Sequence, residues 1–310
     1  MNPQDITARP GENAIFIIFG LKNPKKARGP VKDLCGKLPA LTRSLKNRFP
    51  ELGISAVMGF GAEAYEGLFP KRAKPKELEV FQEIKGKKHV AVSTPGDLFF
   101  HLRAGRLDVI VELATQISSA LSQVAHPIDE THGFRYLDSR AIIGFVDGTE
   151  NPERDEALTA AAIGEEDPEF AGGSYAMTQK YLHDLTAWSK LPVEEQEKVI
   201  GRHKYDDQEL SDEEKPTNAH NVVTNISSED GRELKIVRAN IAFANPAKGE
   251  HGTYFIGYAG SFSTTKKMLE NMFIGDPPGN SDRLLEYSRA ISGTLFFIPS
   301  WDLLATLAEE

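Results

Sequence analysis

Leu98–Gly105 (LFFHLRAG) and Thr253–Gly260 (TYFIGYAG) lie 155 residues apart, half the length of this 310-residue chain. Laid one on the other, Phe99 meets Tyr254, Phe100 meets Phe255, Ala104 meets Ala259 and Gly105 meets Gly260. Each reads as an apolar strand stopped by glycine, and each runs into a helix. In Arg106–Gln123, Leu107, Ile110, Ala114, Ile117 and Leu121 recur at spacings of three and four, which gives one apolar stripe. Phe262–Phe273 is its counterpart. Working outward, Asn13–Leu21 and Gly53–Gly59 read as strands on either side of a helical pattern over Lys26–Phe49, broken near Pro39. Gly133–Leu137 supplies a further strand, and Ala62–Pro95, polar and rich in lysine, reads as a surface excursion. The second half repeats the rhythm. Strands are expected at Gly173–Leu182, Lys235–Phe243, Gly252–Ala259 and Gly293–Ile298, with a helix from Pro192 to Gly201 after the first of them. Strand–helix–strand–strand–helix–strand, twice over, is the order of the ferredoxin-like split βαβ unit. The expected fold is therefore α+β: two such halves with antiparallel sheets, residues 1–140 and 141–310, joined across 138–172.

Composition narrows the function. Hydrophobic residues at 40% and charged residues at 26% are ordinary for a globular chain. A net charge of −9 argues against nucleic acid as partner. The lysine-rich Lys22–Lys37 is interrupted by Pro24, Gly29 and Pro30 and reads as a solvated helix entry. No run approaches 18 apolar residues, so no membrane span is expected. The N-terminus, MNPQDITARPGEN, lacks a basic start and an apolar core, which points to the cytoplasm. Cys35 is the only cysteine, so internal disulfides and clustered thiolate metal sites are excluded. It falls in a helical stretch and reads as a small core residue.

Chemistry concentrates around Gly144–Pro152, GFVDGTENP. Ala141–Val146 before it reads as a short apolar strand, and Asp147-Gly148 reads first as a turn. A calcium loop counted from Asp147 fails, because Pro152 occupies the glycine position and Leu158 the closing-glutamate position. There are eight histidines, at 89, 101, 126, 132, 183, 203, 220 and 251, and no pair has the spacing of a zinc helix. Their positions alone do not single one out as a ligand. Arg238 and Asn240, two apart in a strand, would share a face; on the residues alone, an exposed strand arginine with a surface partner is the preferred reading of Arg238.

The G-x-x-D-G core of GFVDGTENP resembles the signature of dye-decolorizing peroxidases, haem enzymes in which this aspartate overhangs the iron. Three further segments resemble that family in order: KPTNAHNVV (215–223) after IGRHK (200–204), KIVRANIAF (235–243), and SDRLLEYSRAISGTLFFIPSWD (281–302). The likeness is closest to the B-type members, whose histidine usually follows serine where Ala219 stands here. It spans nearly the whole chain, is densest from Gly144 onward, and is weaker before Gly53.

The resemblance implies haem b held mainly by the C-terminal half, with His220 on the iron. Asp282 would accept the other ring N–H of His220, although it also suits a helix N-terminus. Arg202 would meet a haem propionate, and Thr149 and Phe255 would contact the haem. It makes Asp147 the proton-transferring base, Arg238 the stabiliser of developing negative charge, and Asn240 their neighbour. The implied reaction reduces hydrogen peroxide through a ferryl intermediate and oxidises dyes, phenols or other aromatic donors. Trp188, Trp301 and the tyrosines could pass electrons to large donors, or simply pack. The competing readings are another haem activity on a ferredoxin-like fold (chlorite degradation, haem handling, iron release) and a non-enzymatic dimeric ligand binder. A homo-oligomer, dimer or higher, is expected. Ending at ATLAEE soon after the last strand, the sequence shows no tail for packaging in a shell.

Overall fold

The computed structural model describes residues 2–309. Eight long strands form a closed ring. In the first half β1 (Asn13–Leu21), β2 (Ser55–Phe60), β3 (Leu98–Ala104) and β4 (Ala125–Phe134) line up in the order β4-β1-β3-β2. In the second, β5 (Ser174–His183), β6 (Ile241–Asn245), β7 (Glu250–Ala259) and β8 (Thr294–Ile298) line up as β6-β7-β5-β8. Numbering each half from its own first strand gives the same order, 4-1-3-2, the split βαβ arrangement. Every pairing is antiparallel, and β3 and β7 hold equivalent places, as the 155-residue offset requires. Single-residue pairings close the ring at each seam, Phe297 with Phe60 and Ala242 with Phe134.

One face of the strands fills the barrel. Phe16, Ile18, Val57, Phe99, Tyr254, Ile256, Tyr258 and Phe296 form this inner cluster, and Phe16 stacks on Tyr254 at 3.7 Å between ring centroids. The other face packs under helices. α1 (Pro24–Arg48) and α2 (Leu107–Leu121) cover the first half, α2 through Ile110, Ala114, Ile117 and Leu121 of the stripe read from its sequence together with Val109 and Leu113, while Leu107 is exposed. Phe100 on β3 is fully buried in this outer layer. Phe100→Ala should lower stability by about 3–5 kcal/mol, read as a lower denaturant midpoint at unchanged m-value.

Four expectations need correction. The helix over 24–48 runs unbroken through Pro30 and Pro39. Its buried stripe of Ala27, Val31, Leu34, Cys35 and Leu38 outweighs the roughly 3 kcal/mol that each interior proline costs. Burial there pushes the Cys35 thiol up to about 12, so it stays a protonated core group. Ala62–Pro95 is no mere surface excursion, because Tyr65, Phe69, Leu78 and Phe81 join the core. Ala141–Val146 is a turn with one bridge between Arg140 and Val146, not a strand. Gly144 takes φ +95° there, a backbone conformation open to glycine. Finally, the strand expected over Lys235–Phe243 breaks at Ala239–Asn240, where the Asn240 side chain takes the Ile256 N–H at 3.3 Å in place of a backbone carbonyl.

The halves differ in what joins their first two strands. In the first half that connection is α1, packed flat on the sheet. In the second it is a long excursion that carries a one-turn helix over Leu185–Trp188 and then α3 (Val193–Ile200) and α4 (His220–Thr224). The outer face of the second half is therefore left with a cavity, bounded on its far side by α5 (Phe262–Phe273).

Candidate active site

The cavity gathers Asp147, Thr149, Arg202, His220, Arg238, Asn240 and Phe255 into one lining. Asp282 sits behind it, fully buried. All the residues singled out by sequence thus come to one place, from segments up to 135 residues apart (282 − 147 = 135).

His220 opens α4, and its Nδ1 lies 2.7 Å from Asp282 Oδ2. The other carboxylate oxygen of Asp282 accepts the Leu284 N–H at 2.8 Å, capping the short helix over Arg283–Glu286. Both readings of Asp282 therefore hold together. The segments that carry them are tied by the Arg283 N–H, which donates to the Asn218 carbonyl at 3.1 Å. With Nδ1 donating to the carboxylate, a neutral imidazole keeps its lone pair on Nε2.

A second histidine, His183, also lines the cavity. Its Nδ1 is 2.6 Å from the Ser288 hydroxyl and its Nε2 is 2.9 Å from that of Thr253. Burial, helped by nearby His251, pushes its pKa down to about 4. Both its nitrogens are occupied and the ring stays neutral, so His220 is the better-placed nitrogen donor.

Asp147 leaves the turn that follows Ile143 and Phe145, which pack with Trp188, Val199 and Ile200 in a small separate cluster. The Trp188 indole N–H donates to the Ile143 carbonyl at 2.9 Å, and Arg140 donates to the carbonyls of Gly144 and Lys204 at 3.0 and 2.6 Å. Asn240 donates to Asp147 Oδ1 at 3.4 Å. Burial pulls the Arg238 pKa below its ordinary value, the Asp147 carboxylate opposes that, and Arg202 adds to it; an arginine so perturbed is still a cation at any working pH. Arg202 already engages Glu150 and donates to the Asp207 carbonyl at 2.8 Å, while the Thr149 hydroxyl donates to Asp207. Gly201, at φ +90°, ends α3 where a Cβ would collide with Asn221, and so brings Arg202 close to the start of α4.

Sequence reasoning missed His183, which stands at the end of β5 with nothing local to mark it. It also passed over Asn151, which nothing local marks beyond its place before Pro152.

Models of the Dyp-type peroxidase family match residues 3–135 for the N-terminal part and 138–303 for the C-terminal part. The chain belongs to the Dyp-type peroxidase family. It is 46% identical to a dye-decolorizing peroxidase of Rhodococcus erythropolis, over 97% of this chain and 88% of that one. Among solved structures it is similar to a dye-decolorizing peroxidase of Bacteroides thetaiotaomicron, at 59% identity and TM-score 0.96, covering 99% of this chain and 98% of that one. A variant of Rhodococcus jostii DypB in complex with haem is 45% identical at TM-score 0.95, covering 98% of each chain.

A Dyp-type cavity should suit an apolar, planar, dianionic macrocycle with one axial ligand, and the side chains present here fit that demand. Phe255, Met268, Leu269 and Met272 offer apolar surface, Arg202 and Lys235 offer positive charge, and His220 offers one nitrogen braced from behind.

Proposed function

We propose that this chain is a haem peroxidase that binds haem b in the cavity through His220 and reduces hydrogen peroxide at the expense of dyes, phenols or similar aromatic donors. The observation that carries this reading is one cavity holding both a carboxylate-braced histidine and the Asp147–Arg238–Asn240 group. Bound haem would supply the redox-active iron at which the O–O bond of peroxide is broken. The protein's part is proton and charge handling. Asp147 takes the proton from the incoming peroxide oxygen and returns it to the departing one. Arg238 stabilises the negative charge that gathers as that oxygen leaves. Asn240, with its carbonyl fixed by the Ile256 N–H, keeps its amide turned toward Asp147 and orients the carboxylate. Arg202, beside Glu150, meets a propionate, and Thr149 and Phe255 contact the macrocycle.

The test is direct. Purified protein given haem should show a Soret band and should oxidise an anthraquinone dye only when peroxide is present. A preparation that takes up haem but leaves dye and phenols untouched would count against the reaction and leave the cofactor standing.

Asp282 makes the His220 imidazole more electron-donating. Asp282→Asn should therefore raise the haem reduction potential and lower turnover by about 10–100-fold, as redox titration and steady-state rates would register.

The remaining readings belong to the same proposal. Residues 1–140 form an N-terminal ferredoxin-like half and residues 141–310 a C-terminal ferredoxin-like half that holds the haem, a division supported by the repeated strand order. The protein works in the cytoplasm as a homo-oligomer; among the described residues no helix is long and apolar enough to cross a membrane.

A further inference from the structure

We infer that Asn151 is a positioning residue that holds Arg238 in register with Asp147, an inference that rests on the peroxidase reading above. Val237–Arg238 is a two-residue edge strand paired with β7 on one side, Val237 opposite Tyr258 and Arg238 opposite Gly257. The backbone N–H and C=O of one residue in an antiparallel strand point to the same side. For Arg238 that side is the outer edge. Asn151 meets both groups there. Its side-chain oxygen accepts the Arg238 N–H at 2.9 Å and its amide N–H donates to the Arg238 carbonyl at 2.7 Å. One primary amide thus does the work of a neighbouring strand.

The same residue is tied to Asp147 through its own main chain. The Asn151 N–H donates to the Gly148 carbonyl at 3.1 Å, closing the turn that follows the aspartate. Gly148 takes φ +87° to make that turn, and Pro152 confines Asn151 to an extended backbone. The carboxylate and the guanidinium are therefore linked by a short, doubly hydrogen-bonded path. Thr149 and Glu150, the two residues between, are anchored on Asp207 and Arg202. Three consecutive side chains hold this loop to three partners, and only that of Asn151 reaches the strand of Arg238. Without it, this two-residue strand is held from the β7 side alone, next to the ladder's break at Ala239–Asn240.

The experiment uses haem-loaded protein. Asn151→Ala should keep the parent Soret band but react with hydrogen peroxide about 10–100-fold more slowly, because a charge-stabilising donor has lost its preorganisation. Fluoride added to the ferric protein, an anion that Arg238 can hydrogen-bond, should bind about tenfold more weakly. Placed in an Arg238→Leu background, Asn151→Ala should cost nothing further. Asn151→Asp keeps the acceptor for the Arg238 N–H and loses the donor, so it should fall between; if the alanine variant does not fold, it carries the same comparison. Parent-like peroxide rates and fluoride affinity overturn the assignment. So does a full additional loss in the Arg238→Leu background, which would show that Asn151 acts on folding. Failure of the parent protein itself to bind haem or react with peroxide marks the peroxidase reading as the one at fault.

Discussion

Arg238→Leu should react with hydrogen peroxide at least as slowly as Asp147→Ala, with haem bound in both. A positioned general base contributes about 10²–10⁴-fold and a preorganised charge-stabilising donor about 10²–10³-fold, so magnitude alone does not rank them. Replaceability does. Water can relay a proton when a carboxylate is missing, whereas Asn240, the neutral neighbour of Asp147, cannot carry a charge. Folding should survive, because Asn151 grips the backbone of Arg238 and not its guanidinium. The measurement is stopped-flow mixing of each ferric variant with peroxide, followed in the Soret region. A parent-like Arg238→Leu beside a dead Asp147→Ala would make the arginine structural and leave the step to the aspartate.

His220→Ala should lose stable haem binding altogether. It removes the nitrogen donor, and it also strips Asp282 Oδ2 of the N–H at 2.7 Å inside a fully buried site. A buried acceptor left without its donor costs about 1–3 kcal/mol, more if charged. Haem affinity should thus fall by more than the roughly 10–100-fold typical of losing a ligand's outer partner. Absorbance of the reconstituted protein at the Soret band, against protein concentration, reports the loss. Full loading with an unshifted band would transfer the ligand role elsewhere, His183 being the other histidine on the cavity. His183→Ala made alongside should retain haem.

Much of the fold was legible because periodicity is local. α2 and α5 follow their apolar stripes, with α5 matching the expected span residue for residue, and the glycine-stopped β3 and β7 reveal the duplication. What escaped was decided at a distance. β4, AHPIDETHGF, carries a proline and four charged or titratable side chains, and only its tail was expected. Its pairing with β1 along nearly its whole length makes it a strand. Pro39 signals a break that packing overrides. The site was legible only through motifs met in order; composition and spacing left Asp147 a turn residue and His220 one histidine of eight. Asn151 shows why. Its partner Arg238 lies 87 residues away, and a side-chain amide bonding to a backbone leaves no local pattern.

The ring of eight strands has a consequence for how such a protein can change. Every strand in it is paired on both sides, and two short strands branch from it, Val237–Arg238 off β7 and Ser288–Ala290 off β5. Both branches reach the cavity, through Arg238 and Ser288. The pocket is in effect an annex built against a finished wall. Loops and branch strands in an annex can be lengthened, swapped or recharged without opening the wall, since none of the ring's own pairings runs through them. One barrel can then keep its shape while successive tenants of the cavity, and the chemistry done on them, are exchanged at its margin.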